Sequence, residues 1–216
     1  MSFKAVLFDL DGTLIDTLRD IADSMNSALA ELGFEPHPVD NYRLMVGDGT
    51  KVLAQRVLPE EKSTPETLSR LLVLMGEEYS RRWKDASRPY DGVEEMLAEL
   101  KEQGILCIVL SNKDDHFTKQ VVGHFFDGYP FAVVQGVNDT VLPKPDPAGA
   151  IGIIRKMQIL PEEVLYLGDT NTDMKTAKAA GMYAVGASWG FRSEEELVNS
   201  GADIVIDRPV DLLNLL

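Results

Sequence analysis

The sequence predicts an α/β fold: a parallel β-sheet covered by helices on both faces, interrupted by an inserted all-helical region. Three observations predict it. Short apolar runs alternate with helical periodicities from Tyr90 onwards, with short connections, as a parallel sheet requires. The first apolar run, Phe3–Phe8, is followed instead by helical patterns from Leu14 to about Lys84, with no convincing strand. Several of the runs end in Asp, Ser or Asn, and ligands of such sheets bind at the carboxyl ends of the strands.

The elements follow in order. Phe3–Phe8 is rich in strand formers and ends at the acidic turn of "FDLDGT". Leu18, Ile21, Ala22, Met25, Ala28, Leu29 and Leu32 then mark one helical face, with Asp16 or Thr17 to cap it and Gly33 to end it. "FEPHPVDNY" is a turn region, and residues 42–58 and 65–84 are helical, broken by "VGDGT" and "LPEEKSTPE". Helix 92–103 leads through Gly104 into the strand "ILCIVL", then "SNKDD" and a helix near 115–125. "FAVV" is a strand, and the next helix starts after Pro147. "EVLYLGD", "MYAVGA" and "ADIVI" are strands, separated by the helices "TDMKTAKAAG" and "SEEELVNSG". This division gives an α/β core of residues 1–14 and 88–216 and a helical domain of residues 15–87.

Bulk properties narrow the function. With 216 residues the chain is long enough for one large domain or two smaller ones with real cores. A formal charge of −14 argues against nucleic acid or an anionic membrane as partner, because those need clustered Lys and Arg. Any anionic substrate must be held by local positive groups. The single cysteine, Cys107 in "ILCIVL", forms no internal disulfide and reads as a buried thiol, which fits a reducing compartment. No run approaches the ~20 apolar residues of a membrane span, and "MSFKAVLFDL" lacks the apolar core of a signal peptide. The expectation is a cytoplasmic protein.

Asp9 and Asp11 stand two residues apart at the end of the first strand, so they start on the same side of it. Two carboxylates ~4 Å apart near a surface repel by about 4 kcal/mol, which calls for a compensating cation. The other strand ends add Ser111 and Asn112, then Asp169 and Asp173 in "GDTNTD", while Lys144 stands in "LPKPDP". Acids, a hydroxyl and a lysine suit phosphoryl transfer, with Mg²⁺ on the hard carboxylate oxygens supplying the missing charge. Asp9 can attack phosphorus and carry a transient phosphoryl group. Asp11 can act as acid and then base, and Ser111 and Lys144 can bind the phosphoryl oxygens. Gly12 permits the tight turn beside Asp11.

"DLDGTLID", "SN" after a strand, "KP" before a helix and "GDTNTD" resemble, in this order, the four motifs of the haloacid dehalogenase-like phosphohydrolase superfamily. The resemblance implies a Rossmann-like core with the helical insertion as a type-one cap. It also implies Asp9 as nucleophile and Asp11 as acid/base, the latter lending its backbone carbonyl to Mg²⁺. Asp9 and Asp169 would be carboxylate ligands of that metal, with Asp173 supporting. Within the superfamily, "VGDGTKVL" and "GDTNTDMKTAKAAGM" are similar to segments of phosphoglycolate phosphatases. That likeness implies 2-phosphoglycolate, a small phosphorylated metabolite, as substrate. Gly47, Gly49 and Thr50 would then form the cap loop that meets the substrate carboxylate, alongside Ser111, Asn112 and Lys144. Asp48 opposes an anion there unless it turns outward or pairs with a cap base such as Arg43.

Other readings carry less weight. A pyrophosphatase, a nucleotidase or a sugar phosphomutase could share these motifs, and a mutase would have to shield its phosphorylated intermediate from water. A dehalogenase or phosphonate hydrolase is disfavoured by the presence of Asp11. A phospho-receiver domain uses similar residues but is shorter and has no helical cap. His37, His116 and His124 lack metal-ligand spacing, and Trp83 and Trp189 read as packing residues. Arg81, Arg82 and Lys84 suit a helix C-terminus.

Overall fold

Ala5–Phe8 (β1) carries only apolar side chains, all fully buried, as a strand covered on both faces requires. Val6 and Phe8 join one hydrophobic cluster and Ala5 and Leu7 the other, so the strand divides the core into two layers. The computed structural model describes residues 3–216. Met1 and Ser2, which the sequence reading places in the core segment, lie outside the described residues.

Two parallel strands flank β1, namely Leu106–Asp114 (β4) and Val164–Gly168 (β6), with Ala5 opposite both Leu106 and Val164. Val133–Val137 (β5), Tyr183–Ala187 (β7) and Ile204–Ile206 (β8) complete a six-stranded, all-parallel sheet of order β5-β4-β1-β6-β7-β8. The chain first builds outward from β1 through β4 to β5, then crosses back to β6, β7 and β8. The crevice beyond the carboxyl ends of β4, β1 and β6 is therefore the topological switch point, where such sheets bind ligands. The helices Val93–Glu102 (α5), Asp115–Phe125 (α6), Ala148–Lys156 (α7), Asn171–Ala180 (α8) and Glu194–Asn199 (α9) cover the sheet.

The helical insertion follows β1, as expected. Leu18–Glu31 (α1) buries Leu18, Ile21, Ala22, Met25, Ala28 and Leu29 on one face. Pro65–Arg82 (α4) packs against it through Leu71, Met75 and Tyr79, at the four-residue spacing of a helical stripe. Thr64 caps α4 by accepting the Thr67 amide, and Pro65 begins it, where a missing N–H is harmless. Tyr42–Met45 (α2) and Thr50–Val57 (α3) lie between α1 and α4, separated by the glycine loop.

Four local expectations change. Ile15–Asp16 (β2) and Arg88–Pro89 (β3) pair antiparallel where no strand was expected, because the two crossings between sheet and insertion run side by side. Two residues apiece are too short for any hydrophobic period to announce. β4 runs on from "ILCIVL" through Asp114 with a shift of register after Leu110, so Ser111, Asn112 and Lys113 continue the strand. β5 lies at 133–137, later than "FAVV", although the Ala132 amide already bonds Cys107 O. Asp16 makes only a long 3.4 Å contact to the Leu18 amide, and Thr17, at the cap position, spends its hydroxyl on Asp11.

A buried acid fixes the return of the chain. Asp20 on α1 is 2% exposed and accepts bonds from the Ala86 amide and from the amide and hydroxyl of Ser87. These bonds satisfy a charge that would otherwise be expensive to bury, and they anchor the exit strand against α1.

Candidate active site

Asp9 follows β1 directly and is 4% exposed. Its Oδ1 accepts the Leu10 amide at 2.7 Å and the Lys144 ammonium at 2.9 Å. Asp169 follows β6, is fully buried, and accepts the Thr13 hydroxyl at 2.7 Å and the Phe191 amide at 2.8 Å. Gly12, at φ +89°, and Gly190 leave the space that the Asp169 carboxylate fills; a Cβ at either would collide with it. Asp173 stands in the first turn of α8, where the helix dipole favours a negative charge. Its Oδ1 takes Lys144 at 2.6 Å, and its Oδ2 takes the amide and hydroxyl of Thr170 in a capping box.

These three aspartates offer oxygens within 4.8 Å of one another, all buried. Among the described residues they face a single ammonium, that of Lys144. Burial works against charge on Lys144, but Asp173 and Asp9 outweigh it and hold its pKa well above the ordinary value. The acids remain under-compensated. Burial, and then the neighbouring Asp173 charge, push the Asp9 carboxyl well up. The same two causes, in the same order, raise Asp169 to about 7. A cluster of hard carboxylate oxygens short of positive charge fits a divalent cation such as Mg²⁺.

Asp11 lies apart from this cluster, although its spacing starts it on the same side of the strand as Asp9. Its oxygens bind the Lys113 ammonium at 2.9 and 3.0 Å and the Thr17 hydroxyl at 2.7 Å. Asp173, expected only in support, is a full member of the cluster. The turn after β1 separates the pair: Gly12 donates to Ile15 O, and the chain reverses within "DGTLI".

Ser111 is 2% exposed, and its hydroxyl accepts the Lys113 amide at 3.2 Å. It does not cap α6; the Asp114 side chain does, by accepting the His116 amide. Asn112 accepts the Lys144 amide at 2.7 Å and donates to Lys144 O and Gly47 O, both at 3.0 Å. The side chain thus ties the lysine loop to the cap loop. A cavity of about 240 Å³ opens between sheet and insertion, bordered by Asp9, Asp11, Ser111, Gly47, Gly49 and Thr50, among others.

The comparisons with known proteins fit this geometry. The family model described as haloacid dehalogenase-like hydrolase matches residues 6–187. The chain belongs to that family. A phosphoglycolate phosphatase of Haemophilus influenzae is 34% identical over 99% of this chain and 98% of its own length. One from Mannheimia succiniciproducens is 32% identical over the same shares. The crystal structure of a predicted phosphoglycolate phosphatase from Haemophilus somnus superimposes with a TM-score of 0.93 at 29% identity, covering 100% of this chain and 98% of the other.

In this haloacid dehalogenase-like chain the insertion is held onto the core by contacts that sequence reasoning missed. Asp48 turns away from the cavity and pairs with Arg56 and the Thr172 hydroxyl, each at 2.6 Å. The expected partner Arg43 donates instead to Gly190 O at 2.9 Å. Arg192, 7% exposed, donates to the carbonyls of Arg43 and Val46 at the end of α2. Lys113 and Tyr79 also escaped notice. Lys113 adjoins the "SN" motif, but nothing local to "SNKDD" says that the strand continues and buries it. Tyr79 lies on the apolar stripe of α4 and is indistinguishable there from a packing residue.

Proposed function

We propose that this chain is a Mg²⁺-dependent phosphatase that hydrolyses a small phosphomonoester, with 2-phosphoglycolate the best candidate, through an aspartyl-phosphate. The observation that carries the reading is Asp9 itself, lining the cavity beside an under-compensated acidic cluster and a buried lysine. Its Oδ1 is held by Lys144 and the Leu10 amide, which leaves Oδ2 for attack.

The residues then divide the work. Asp9 Oδ2 bonds to phosphorus as the ester P–O bond breaks, and Asp11 gives its proton to the departing oxygen. Asp11 next takes a proton from water, whose oxygen bonds to phosphorus. The P–O bond to Asp9 breaks, and inorganic phosphate leaves. Ser111 and Lys144 hold the phosphoryl oxygens, and Asn112 fixes the backbone of Lys144. Mg²⁺, held by Asp9, Asp169 and Asp173 with the Asp11 carbonyl, would neutralise charge on the transferring group. Residues 15–87 act as a cap that excludes water, and residues 1–14 and 88–216 form the catalytic core.

The substrate assignment rests on three supports: the phosphoglycolate phosphatase relatives at 30–34% identity, the cavity size and the turned-away Asp48. A cavity of about 240 Å³ falls below the ~300–1,000 Å³ of sites for drug-sized ligands, which suits a leaving group of few atoms. No helix is long and apolar enough to cross a membrane among the described residues. The test is phosphate release from a panel of phosphorylated metabolites, with Mg²⁺ and with EDTA. Preference for a sugar phosphate, a nucleotide or pyrophosphate over 2-phosphoglycolate overturns the assignment.

A further inference from the structure

Tyr79 is 2% exposed, and among the described residues its hydroxyl is the buried side-chain polar atom without a hydrogen-bond partner. Such groups are rare in folded proteins and call for an explanation. The ammonium of Lys113 lies 4.7 Å from the centre of the Tyr79 ring, in electrostatic range, yet it does not meet the hydroxyl with hydrogen-bond geometry. A lysine has three N–H donors. The Lys113 contacts with hydrogen-bond geometry go to Asp11, and the ammonium also faces the Tyr79 hydroxyl oxygen, which leaves the Tyr79 O–H itself without an acceptor.

Tyr79 and Lys113 border the same cavity as Asp9 and Ser111. The cap-side lining around them is apolar, supplied by Leu53, Leu72 and Met75 with Phe117 from the core. An unspent hydroxyl donor, beside an ammonium already paired with Asp11, thus stands among the apolar residues of the cavity wall. We propose that Lys113 and Tyr79 together form the subsite that recognises a carboxylate on the leaving group. The proposal rests on the phosphatase reading above and deepens it.

The chemistry favours a carboxylate over other tails. An alkyl tail accepts no hydrogen bond, a hydroxyl tail accepts only bonds without the added charge of a carboxylate, and a second phosphate demands more charge than one shared ammonium offers. Asp11 already screens Lys113 at long range, so recognition works through short, charge-assisted hydrogen bonds. The Tyr79 hydroxyl is therefore a discriminating contact in its own right. The glycine loop keeps a separate role, since Gly49 carries φ +88° and a Cβ there would come within 3.2 Å of Asn112 O. It brings the cap backbone close and shapes the wall opposite.

The experiment compares kcat/KM for 2-phosphoglycolate with that for 2-hydroxyethyl phosphate, a neutral-tailed analogue, in wild type, Tyr79→Phe and Lys113→Gln. Hydrogen bonds to charged groups correspond to roughly 10–100-fold. Tyr79→Phe should lose about that factor on 2-phosphoglycolate, mainly in KM, and far less on the analogue. Its melting temperature should be equal or higher, because the removed hydroxyl had no partner. Lys113→Gln should slow both substrates, since Asp11 loses its counter-ion, while the preference collapses towards unity. A selective wild type whose variants keep the same preference overturns the subsite and leaves the phosphatase reading intact. A wild type that hydrolyses both esters equally does the same. Release of phosphate from neither ester overturns both readings.

Discussion

Thr172 donates its hydroxyl to Asp48 at 2.6 Å, joining residues 124 positions apart in the chain. Asp48 lies in the glycine loop of the insertion, and Thr172 sits between Asp169 and Asp173 of the acidic cluster. Burial opposes charge on Asp48, but the hydrogen bonds from Thr172 and Arg56 outweigh it and hold the carboxyl below its usual range. A residue that looked hostile to an anionic substrate is thus a strut between cap and core. Arg192 and Arg43 brace the same joint in opposite directions, each donating to a carbonyl across it.

Cutting the strut should loosen closure without touching the chemistry. Thr172→Val removes the hydroxyl at nearly constant shape and leaves Asp48 paired with Arg56. A typical hydrogen bond contributes about 1 kcal/mol, so KM should rise roughly 3–10-fold with a smaller change in kcat. Steady-state kinetics on 2-phosphoglycolate check this. A fall in kcat alone would show that Thr172 acts on the cluster and not on the joint.

The two aspartates of the first motif should fail differently. Asp9→Asn deletes the attacking oxygen and should reduce turnover to background, while relieving like-charge repulsion and leaving the fold intact. Asp11→Asn should lower kcat by the 10²–10⁴-fold typical of general acid–base groups. If attack survives better than hydrolysis in Asp11→Asn, phosphorylated protein accumulates and acid-quench labelling detects it. Near-normal turnover by either variant sinks the assignment of roles.

Metal binding should register as stability. Mg²⁺ at a hundred times its dissociation constant contributes about 2.7 kcal/mol by mass action. The melting temperature should therefore rise with Mg²⁺ and fall back with EDTA, and activity should follow. Asp169→Asn should blunt both responses. Identical melting curves in Mg²⁺ and EDTA would falsify the metal role of the cluster.

The core and the acidic residues were legible because they carry local signatures. "AVLF" next to "DLDGT" announces a buried strand with a polar end, and β–α alternation fixes that end as part of a crevice. The cap contacts were not legible for a physical reason. Thr172, Asp48 and Arg192 meet only when the insertion folds onto the core, and no period or spacing encodes a meeting of residues so far apart. Lys113 and Tyr79 were hidden in another way: the strand extension that buries the first and the orphan hydroxyl of the second exist only in three dimensions. The short β2–β3 pairing was invisible because two residues per strand carry no alternation.

The same acids set the pH response of the metal-free protein. Asp169 titrates near 7 in the folded chain against 3.8 for an ordinary aspartate, burial being the larger cause and Asp173 the next. Between those values the folded state keeps a proton that the unfolded state has released. Folding is therefore favoured by protons, and stability falls as pH rises from about 4 to about 7. Asp9 shares the effect, because its carboxyl is raised by the same two causes. Asp48 has the opposite sign: its lowered carboxyl stabilises above the usual aspartate range, and that part is lost on further acidification. In EDTA the protein should accordingly be most stable in mildly acidic buffer and weaken towards neutrality. Mg²⁺ binds the ionised acids, so its stabilisation should grow over the same window and flatten the curve. Asp169→Asn should flatten it without metal, because the amide cannot ionise. Denaturant titrations at half-unit steps of pH check all three curves, and stability in EDTA that climbs from pH 5 to 7 contradicts the charge imbalance on which the metal site rests.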